Sequence, residues 1–308
     1  MVKANAYNHG VKGVVGISET IVDRYGVATL SEALELKKLN VSKPISIYSY
    51  NISDIPCIVE NKFTPIIYNN LGLDALIRTG HQDFDFKIDS GMNRFGFNNP
   101  KDVSVAITKL KKATLKPRAL ITHFASIKSI GEQIRRFNQL VKPFEKDFCG
   151  IKSILSASSG IAQGYYFDGV RAGLMAYNGA FRVISHILDI KRLGVGARVG
   201  YDGDYRASEQ TRIAIISGGY FDGIKRSYKG ALVSINGYKA KIVGKVSMDT
   251  TFVDIGDIPA KIGDEVIILD DSTMNSYCLA DNTNEYEVIT SIKGRAKRIY
   301  KYYGQEFD

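Results

Sequence analysis

The chain has 308 residues, 44% of them hydrophobic and 24% charged, so it can bury one full core and, we expect, two. Its formal net charge is +9, but the lysines are scattered over polar helix faces rather than gathered in one arm, which argues against nucleic-acid binding. Cys57, Cys149 and Cys278 have no paired spacing, so we expect no zinc site and no disulfide framework, and a reducing, cytoplasmic compartment fits. With no apolar run of about 18 residues and no leader-like start, we expect neither a membrane span nor a signal peptide.

Residues 1–182 alternate strand-like and helix-like stretches. Apolar runs rich in β-branched and aromatic residues predict strands at 1–3, 27–30, 45–49, 65–68, 84–89, 120–124, 151–156 and 169–171. The clearest helical patterns cover 31–40 with Ser31 as N-cap, 101–112, and 132–142 just before Pro143; shorter ones lie near 11–23, 52–59 and 71–79. Eight strands that mostly alternate with helices predict a (β/α)8 barrel over residues 1–182.

The unusual polar residues of this half fall at or just beyond the carboxyl ends of the predicted strands, where the active site of such a barrel lies. They are Lys3, Lys87, Arg94, His123, Ser158 and Arg171. Lys3 lies between Val2 and Ala4 as a strand residue would, and a lysine held in a site can form a Schiff base. Taken alone, Lys3 could equally be an ordinary basic residue and Ser158 a helix cap.

Gly173 and Leu174 follow the last predicted strand of this half. Backbone amides of a glycine-containing loop can hold a phosphate at this place in a barrel enzyme. A reactive amine and a phosphate cradle together suit pyridoxal 5'-phosphate (PLP), whose aldehyde needs an amine. Gly173 could also be a simple turn residue, so this pattern favours PLP without requiring it.

Residues 183–308 predict a mainly β second domain. Strand patterns cover 184–193, 211–217, 231–235, 240–246 and 265–269, and Asn236-Gly237 predicts a type I′ hairpin between two of them. Antiparallel pairing is therefore expected. A polar stretch at 281–292 predicts a short helix, followed by a last strand near 296–302.

Ordered blocks over nearly the whole chain resemble those of the bacterial alanine racemases. The first, VKANAYNHG at residues 2–10, closely resembles the motif whose lysine binds PLP in that family. The others are KIDSGMNRFG (87–96), THFA (122–125), VRAGL (170–174), GYFDG (219–223), SMD (247–249) and NEYE (284–287). The resemblance implies a PLP-binding barrel, a β C-terminal domain, a head-to-tail homodimer, and racemisation of alanine that supplies D-alanine for peptidoglycan.

The resemblance also implies a two-base mechanism. Lys3 would bind the cofactor and act as one base, and Tyr220 would act as the other base on the opposite face, from the partner subunit. A phenol with a pKa of about 10 is a poor base at neutral pH, and His123 and Arg171 match positions that stabilise its phenolate. Arg171 would also face the pyridine nitrogen and, because a guanidinium keeps its proton, would restrain side reactions.

Further roles carried over by the resemblance concern binding. The matching cofactor positions are Lys3, Tyr7, His123, Ser158, Arg171, Gly173, Leu174 and Tyr286. Arg94 would pair with the substrate carboxylate or the cofactor's phenolic oxygen, and Met248 and Asp249 would contact substrate across the dimer interface. Lys87 matches a position that is often carbamylated, and the carbamate would orient Arg94.

Three features depart from the family pattern. Asn8 stands where glycine is usual, although asparagine tolerates a positive φ. Residues 157–160 read Ala-Ser-Ser-Gly and lack the usual asparagine, which puts part of the phosphate contact in doubt. Family members usually carry a longer segment before the lysine, so either the start codon was chosen too late or the shorter chain is real. If it is real, we expect it to be unstable or to bind PLP weakly, as an inactive or weakly active truncated homologue.

Other functions share parts of this pattern. A broader-specificity amino-acid racemase is the nearest alternative, because substrate size depends on pocket residues that the sequence does not locate. A PLP-binding homeostasis protein of the barrel-only type is disfavoured by the second domain that carries Tyr220. A basic-amino-acid decarboxylase also pairs a barrel with a β domain, but the first block and the GYFDG block favour the racemase.

Overall fold

The computed structural model describes residues 1–148, 150–154, 157–302 and 305–307. The chain divides into two compact units: unit 1 comprises Met1–Ala6 and Gly10–Ala176, and unit 2 comprises Tyr7–His9 and Tyr177–Asp308. Cys149 and the end of the strand predicted at 151–156 lie outside the described residues. The division predicted after residue 182 stays a proposal.

Unit 1 is built on a sheet of parallel strands paired in chain order. The strands are β1 (Tyr25–Val27), β2 (Ile45–Ile47), β3 (Thr64–Ile67), β4 (Asp85–Lys87), β5 (Ala119–Ile121) and β6 (Lys152–Ile154). Strands β1 to β5 are buried throughout, as expected where helices cover a parallel sheet. Six of the eight predicted strands are thus found, although the one predicted at 27–30 lies earlier, at Tyr25–Val27, because Leu30 already begins a helix. The α/β barrel class is confirmed.

The first and last predicted strands of unit 1 are different. The prediction at 1–3 is wrong, because a turn in the left-handed region of backbone space begins at Ala4 and ends the extended stretch. Val2 N still donates to Gly26 O of β1 (2.9 Å), and Met1 N donates to Ala172 O (2.8 Å). At 169–171 the described strand pairing is limited to an isolated bridge at Val170. Backbone therefore lies beside β1 without forming a regular strand.

Helices cover the strands of unit 1. They are Val11–Ser18, Leu30–Lys38, Ile55–Glu60, Asn70–Thr79, Pro100–Lys112, Ile130–Asp147 and Ser158–Ala162. The predicted N-cap Ser31 is wrong: Thr29 is the N-cap and forms a capping box with Glu32. The predicted end before Pro143 is also wrong, because the buried apolar face continues to Phe144, which packs 4.8 Å from Phe86 between ring centroids.

Unit 2 contains a closed antiparallel barrel in the order β10-β13-β12-β11-β14-β7. The barrel strands are β7 (Val183–Leu193), β10 (Thr211–Ser217), β11 (Leu232–Ile235), β12 (Tyr238–Val243), β13 (Thr250–Asp254) and β14 (Glu265–Leu269). Two separate antiparallel pairs are formed by β8 (Arg198–Val199) with β9 (Tyr205–Arg206) and by β15 (Tyr300–Tyr302) with β16 (Gln305–Phe307). Asn236 and Gly237 both have positive φ (49° and 84°) between β11 and β12, which confirms the hairpin prediction.

Two helices complete the described part of unit 2. Glu285–Ser291, capped by Asn284, lies within the helix predicted at 281–292, whereas Met274–Asp281 was not predicted. The predicted last strand shortens to Tyr300–Tyr302. Within the described ranges of both units, no helix has the length and apolar composition needed to cross a bilayer.

Candidate active site

The lysine motif folds as a left-handed turn. The four residues after Lys3 have φ between 51° and 54°, and Asn8 has a φ of 68°. In unit 1 the turn is held by Asn5, whose backbone oxygen accepts from Gly10 N (3.0 Å) and whose Oδ1 accepts from Val11 N (2.7 Å). The turn fixes where the Lys3 side chain leaves the backbone.

A second tie to this turn comes from the helix after β1. Glu32 Oε1 accepts from Ala4 N (2.7 Å), while its Oε2 accepts from Ala28 N (2.7 Å) and Thr29 N (3.2 Å). One carboxylate therefore caps its own helix and holds the residue next to Lys3. Glu32 was not among the predicted site residues, although the Thr29 to Glu32 spacing is a capping-box signal in the sequence.

Cationic side chains gather at the carboxyl ends of the strands in unit 1. Lys87 ends β4 and is 5% exposed, Arg94 follows in the next loop, and His123 follows β5. Residues Lys87, Ile88, Asp89, Met92, Arg94, Phe95, Thr122 and His123 line one pocket there. Arg171 donates to Thr122 O, and its Cζ lies 5.8 Å from the Tyr48 ring centroid.

These cationic groups lie close enough to change one another's pKa values. Burial and the nearby Arg171 and Arg94 lower the pKa of Lys87 to about 8, and the same causes lower the pKa of His123 to about 3. Burial and Arg94 also lower the pKa of Lys3, against the opposing effect of Glu32. Burial and the repulsion between neighbouring cations thus both disfavour the charged forms of these side chains, and an anionic ligand would offset the repulsion.

The loop that carries Arg94 is tied down by a carboxylate. Asp89 accepts from the backbone nitrogens of Gly91 (2.9 Å), Asn93 (3.0 Å) and Arg94 (3.0 Å). Such a loop keeps the Arg94 backbone in place at the rim of the pocket.

The predicted phosphate residues of unit 1 also come together. Ser158 Oγ accepts from Met175 N (3.5 Å), next to Leu174, and a 3₁₀ turn begins at Leu174. Gly173 and Leu174 are buried. The missing asparagine noted before Ser158 thus leaves a serine that still lies against this loop.

The remaining predicted residues lie in unit 2, in two groups. The Tyr7 ring packs against those of Tyr177 (5.6 Å between centroids) and Tyr286 (5.7 Å). Tyr220 N donates to Ser247 O (2.9 Å), which places the turn of Tyr220 beside Met248 and Asp249. The side chains of Tyr220 and Met248 are 41% and 51% exposed, so both are available to a further molecule.

Comparisons with known proteins agree over both parts of the chain. Family models described as "Alanine racemase, N-terminal domain" and "Alanine racemase, C-terminal domain" match residues 1–180 and 180–300. The chain is 30% identical to the alanine racemase of Streptococcus gordonii over 98% of this chain and 90% of that protein. It is 33% identical to that of Actinobacillus succinogenes over 87% of this chain and 82% of that protein.

Solved structures show the same likeness. Alanine racemase from Clostridium difficile 630 superposes with a TM-score of 0.89 at 27% identity, covering 100% of this chain and 89% of that one. The biosynthetic alanine racemase from Pseudomonas aeruginosa gives a TM-score of 0.88 at 27% identity, covering 98% of this chain and 91% of that one.

Proposed function

The chain belongs to the alanine racemase family, and on that premise we propose that it interconverts L-alanine and D-alanine with PLP and supplies D-alanine for peptidoglycan. The observation that carries the proposal is the position of Lys3. The Lys3 side chain extends from a left-handed turn of defined geometry. In the same unit lie four other cationic or titratable residues whose charges interact: Lys87, Arg94, His123 and Arg171.

The residues fit an anionic cofactor. Burial is the main cause that lowers the pKa of Lys87 and His123, and the nearby Arg171 and Arg94 lower it further. A phosphate and a phenolate would offset this second, electrostatic contribution. The residues proposed to hold PLP are Lys3 through its amine, Ser158, Tyr7 and Tyr286 at the phosphate, and Arg171 at the pyridine nitrogen, with the backbone of Gly173 and Leu174. Bound PLP would supply an electron-accepting ring that acidifies the α-proton of an attached amino acid.

Two bases account for inversion. Lys3 takes or gives the proton on one face of the α-carbon, and Tyr220 of the partner subunit does so on the other. The depressed pKa keeps His123 neutral near pH 7, so its ring can donate a hydrogen bond to the Tyr220 oxygen without carrying a charge. Arg171, next to His123, supplies the positive charge that favours the phenolate.

Substrate recognition is assigned to Arg94, Met248 and Asp249. Arg94 pairs with the substrate carboxylate, since a guanidinium suits a planar anion. Lys87, with a pKa of about 8, has a neutral fraction at physiological pH, and the neutral amine is the form that reacts with carbon dioxide. A carbamate on Lys87 would place a negative group beside Arg94 and orient it.

The test follows D-alanine formation from L-alanine by the purified chain, with and without added PLP. We expect PLP-dependent activity, a loss of about 100-fold or more in Tyr220→Phe, and no covalent cofactor absorbance in Lys3→Ala. No D-alanine from the PLP-loaded wild type would refute the function. Undiminished activity in Tyr220→Phe would refute only the assignment of the second base.

A further inference from the structure

Three backbone segments of unit 2 meet around the turn that carries Tyr220. Tyr220 N donates to Ser247 O (2.9 Å), and Phe221 N donates to Met248 O (3.2 Å). On the other side, Lys293 N donates to Asp222 O (3.0 Å). The turn therefore lies between residues 247–249 and residues 291–295.

The three segments are in steric contact as well as hydrogen-bonded. A Cβ atom added to Gly219 would lie 2.2 Å from Ser247 O, and one added to Gly223 would lie 2.1 Å from Ser291 O. No side chain fits in either place, because real Cβ contacts are never so short. The backbones of the three segments therefore pack directly against one another at these glycines.

One side chain links all three segments. Arg295 Nε and Nη2 donate to the two oxygens of Asp222 (3.0 and 2.7 Å), and its Nη1 lies 2.9 Å from Asp249 Oδ1. The guanidinium carbon also lies 5.1 Å from the Phe221 ring centroid. The planar, five-donor guanidinium fixes the two carboxylates relative to each other, which a lysine could not do equally well.

Asp222 in turn belongs to the Tyr220 turn. Its carboxylate accepts from Gly219 N (3.1 Å), so it closes the turn on the N-terminal side of Tyr220. The Arg295 guanidinium, as the main cause, lowers the pKa of the Asp222 carboxyl, which keeps the pair charged. Asp249 directly follows Met248, the residue assigned to substrate.

We propose that Arg295 is a positioning residue for racemisation, which holds the Tyr220 turn and the Met248–Asp249 segment at a fixed separation. Arg295 thereby keeps the second base and the substrate-contacting segment in a fixed arrangement where they face the partner subunit. The proposal rests on the proposed function, because it needs Tyr220 to act as a base. The role proposed for Arg295 requires no contact between its side chain and substrate or cofactor.

A purely structural role makes a different prediction. The Arg295 side chain is 55% exposed, and exposed ion pairs contribute little to folding stability. If Arg295 were an ordinary surface pair, its loss would change neither stability nor catalysis by much. If it positions the base, its loss would affect inversion far more than unfolding.

The experiment compares Arg295→Met, Arg295→Lys and the control Lys229→Gln in the PLP-loaded dimer. Lys229 forms an exposed ion pair with Asp204 (2.7 Å) in the same unit but outside the three segments. For each protein, inversion is measured as D-alanine formation, and α-proton exchange without inversion is measured by NMR in D₂O. In one enantiomer of alanine the α-proton faces Lys3, and exchange of that proton with solvent deuterium needs Lys3 but not Tyr220.

In Arg295→Met we expect inversion to fall about 30-fold while exchange without inversion falls less than about threefold, because only the Tyr220 side is displaced. Arg295→Lys, which can keep one carboxylate contact, should show the same change in ratio to a smaller extent, and Lys229→Gln should match the wild type. Parallel losses of exchange and inversion, or no change in either, would overturn the proposal. A wild type that neither inverts nor exchanges would instead refute the proposed function.

Discussion

At position 8 the backbone has a φ of 68°, and the residue is an asparagine where glycine is usual in the family. Asn8 Nδ2 donates to Ile289 O (2.8 Å) and Ile292 O (2.7 Å) in unit 2. Arg298 donates through Nε to Asn8 O (3.2 Å) and through a second nitrogen to Asn8 Oδ1. The substitution therefore adds a buried hydrogen-bonding centre in place of a flexible turn residue.

Replacing this asparagine separates its two contributions. Asn8→Gly loses the side-chain hydrogen bonds but keeps the backbone conformation, and we expect a cost of about 2 kcal/mol in unfolding free energy. Asn8→Ala loses the same hydrogen bonds but keeps a Cβ at positive φ without the polar group that makes asparagine tolerant there, and it should cost about 1 kcal/mol more than Asn8→Gly. Urea unfolding of both variants measures the difference, and an alanine variant as stable as the glycine variant would contradict the strain argument.

His123 gives a pH dependence at the same scale. Its pKa is about 3 in the folded, cofactor-free protein and about 6.5 when unfolded, so between these values the unfolded state binds more protons. The contribution of His123 to the free energy of unfolding should therefore be largest above about pH 6.5 and decrease as the pH falls toward 3. Urea unfolding of cofactor-free His123→Gln should show a shallower loss between pH 6 and 4 than the wild type.

The matched control for that series is His186→Gln, because His186 is exposed on β7. We expect this variant to follow the wild-type pH dependence. A His123→Gln protein with the wild-type slope would show that another buried group is responsible.

The helix Leu30–Lys38 has two functions that can be separated by substitution. The Thr29 side chain caps the helix, whereas the Glu32 side chain caps it and also accepts from Ala4 N beside Lys3. Thr29→Ala should lose about 1 kcal/mol of unfolding free energy and leave racemisation within about twofold of wild type. Glu32→Ala should lose about 2 kcal/mol and about tenfold in rate, because the lysine turn loses an anchor.

Unfolding in urea and D-alanine formation under saturating PLP measure the two effects. If both variants lost activity in proportion to their stability, the link between Glu32 and the lysine turn would be wrong.

Sequence periodicity predicted the elements whose structure depends on the burial of apolar side chains. Buried runs such as Ile45–Ile47 and Ala119–Ile121 are strands because parallel strands covered on both faces need continuous apolar residues. The predicted strand at 1–3 failed because its neighbours Ala4, Asn5 and Ala6 carry no periodic signal for a left-handed turn. The helix Ile130–Asp147 continues beyond its predicted end because the burial of Phe144 offsets the cost of Pro143 inside the helix.

The candidate site divides in the same way. Lys3, Lys87, His123 and Arg171 could be selected from ordered blocks, and the structure brings them into one charged cluster. The roles of Glu32 and Arg295 could not be predicted, because their partners lie 28 and 73 residues away in the sequence. Only tertiary contacts identify such residues.

For the whole molecule, the proposal that two subunits share each site predicts complementation. Lys3→Ala and Tyr220→Phe alone should each keep about 1% or less of wild-type racemisation, but a dimer with one subunit of each retains one complete site. Random reassortment of an equal mixture should restore about one quarter of the wild-type sites, because half of the dimers are mixed and each has one intact site of two. D-alanine formation after subunit exchange measures this, and a mixture as inactive as its components would contradict the shared site.

The left-handed turn after Lys3 also bears on how this chain can change over evolution. Four residues in a row, from Ala4 to Tyr7, hold a conformation that costs an L-amino acid about 1–2 kcal/mol each. A β-branched residue at Ala4 or Ala6 would add to that cost even though neither side chain has an assigned chemical role. Mutational tolerance in this motif should therefore follow backbone compatibility, with glycine and asparagine accepted before valine or isoleucine. The small residues that follow the lysine are therefore selected by the backbone conformation of the turn as well as by catalysis.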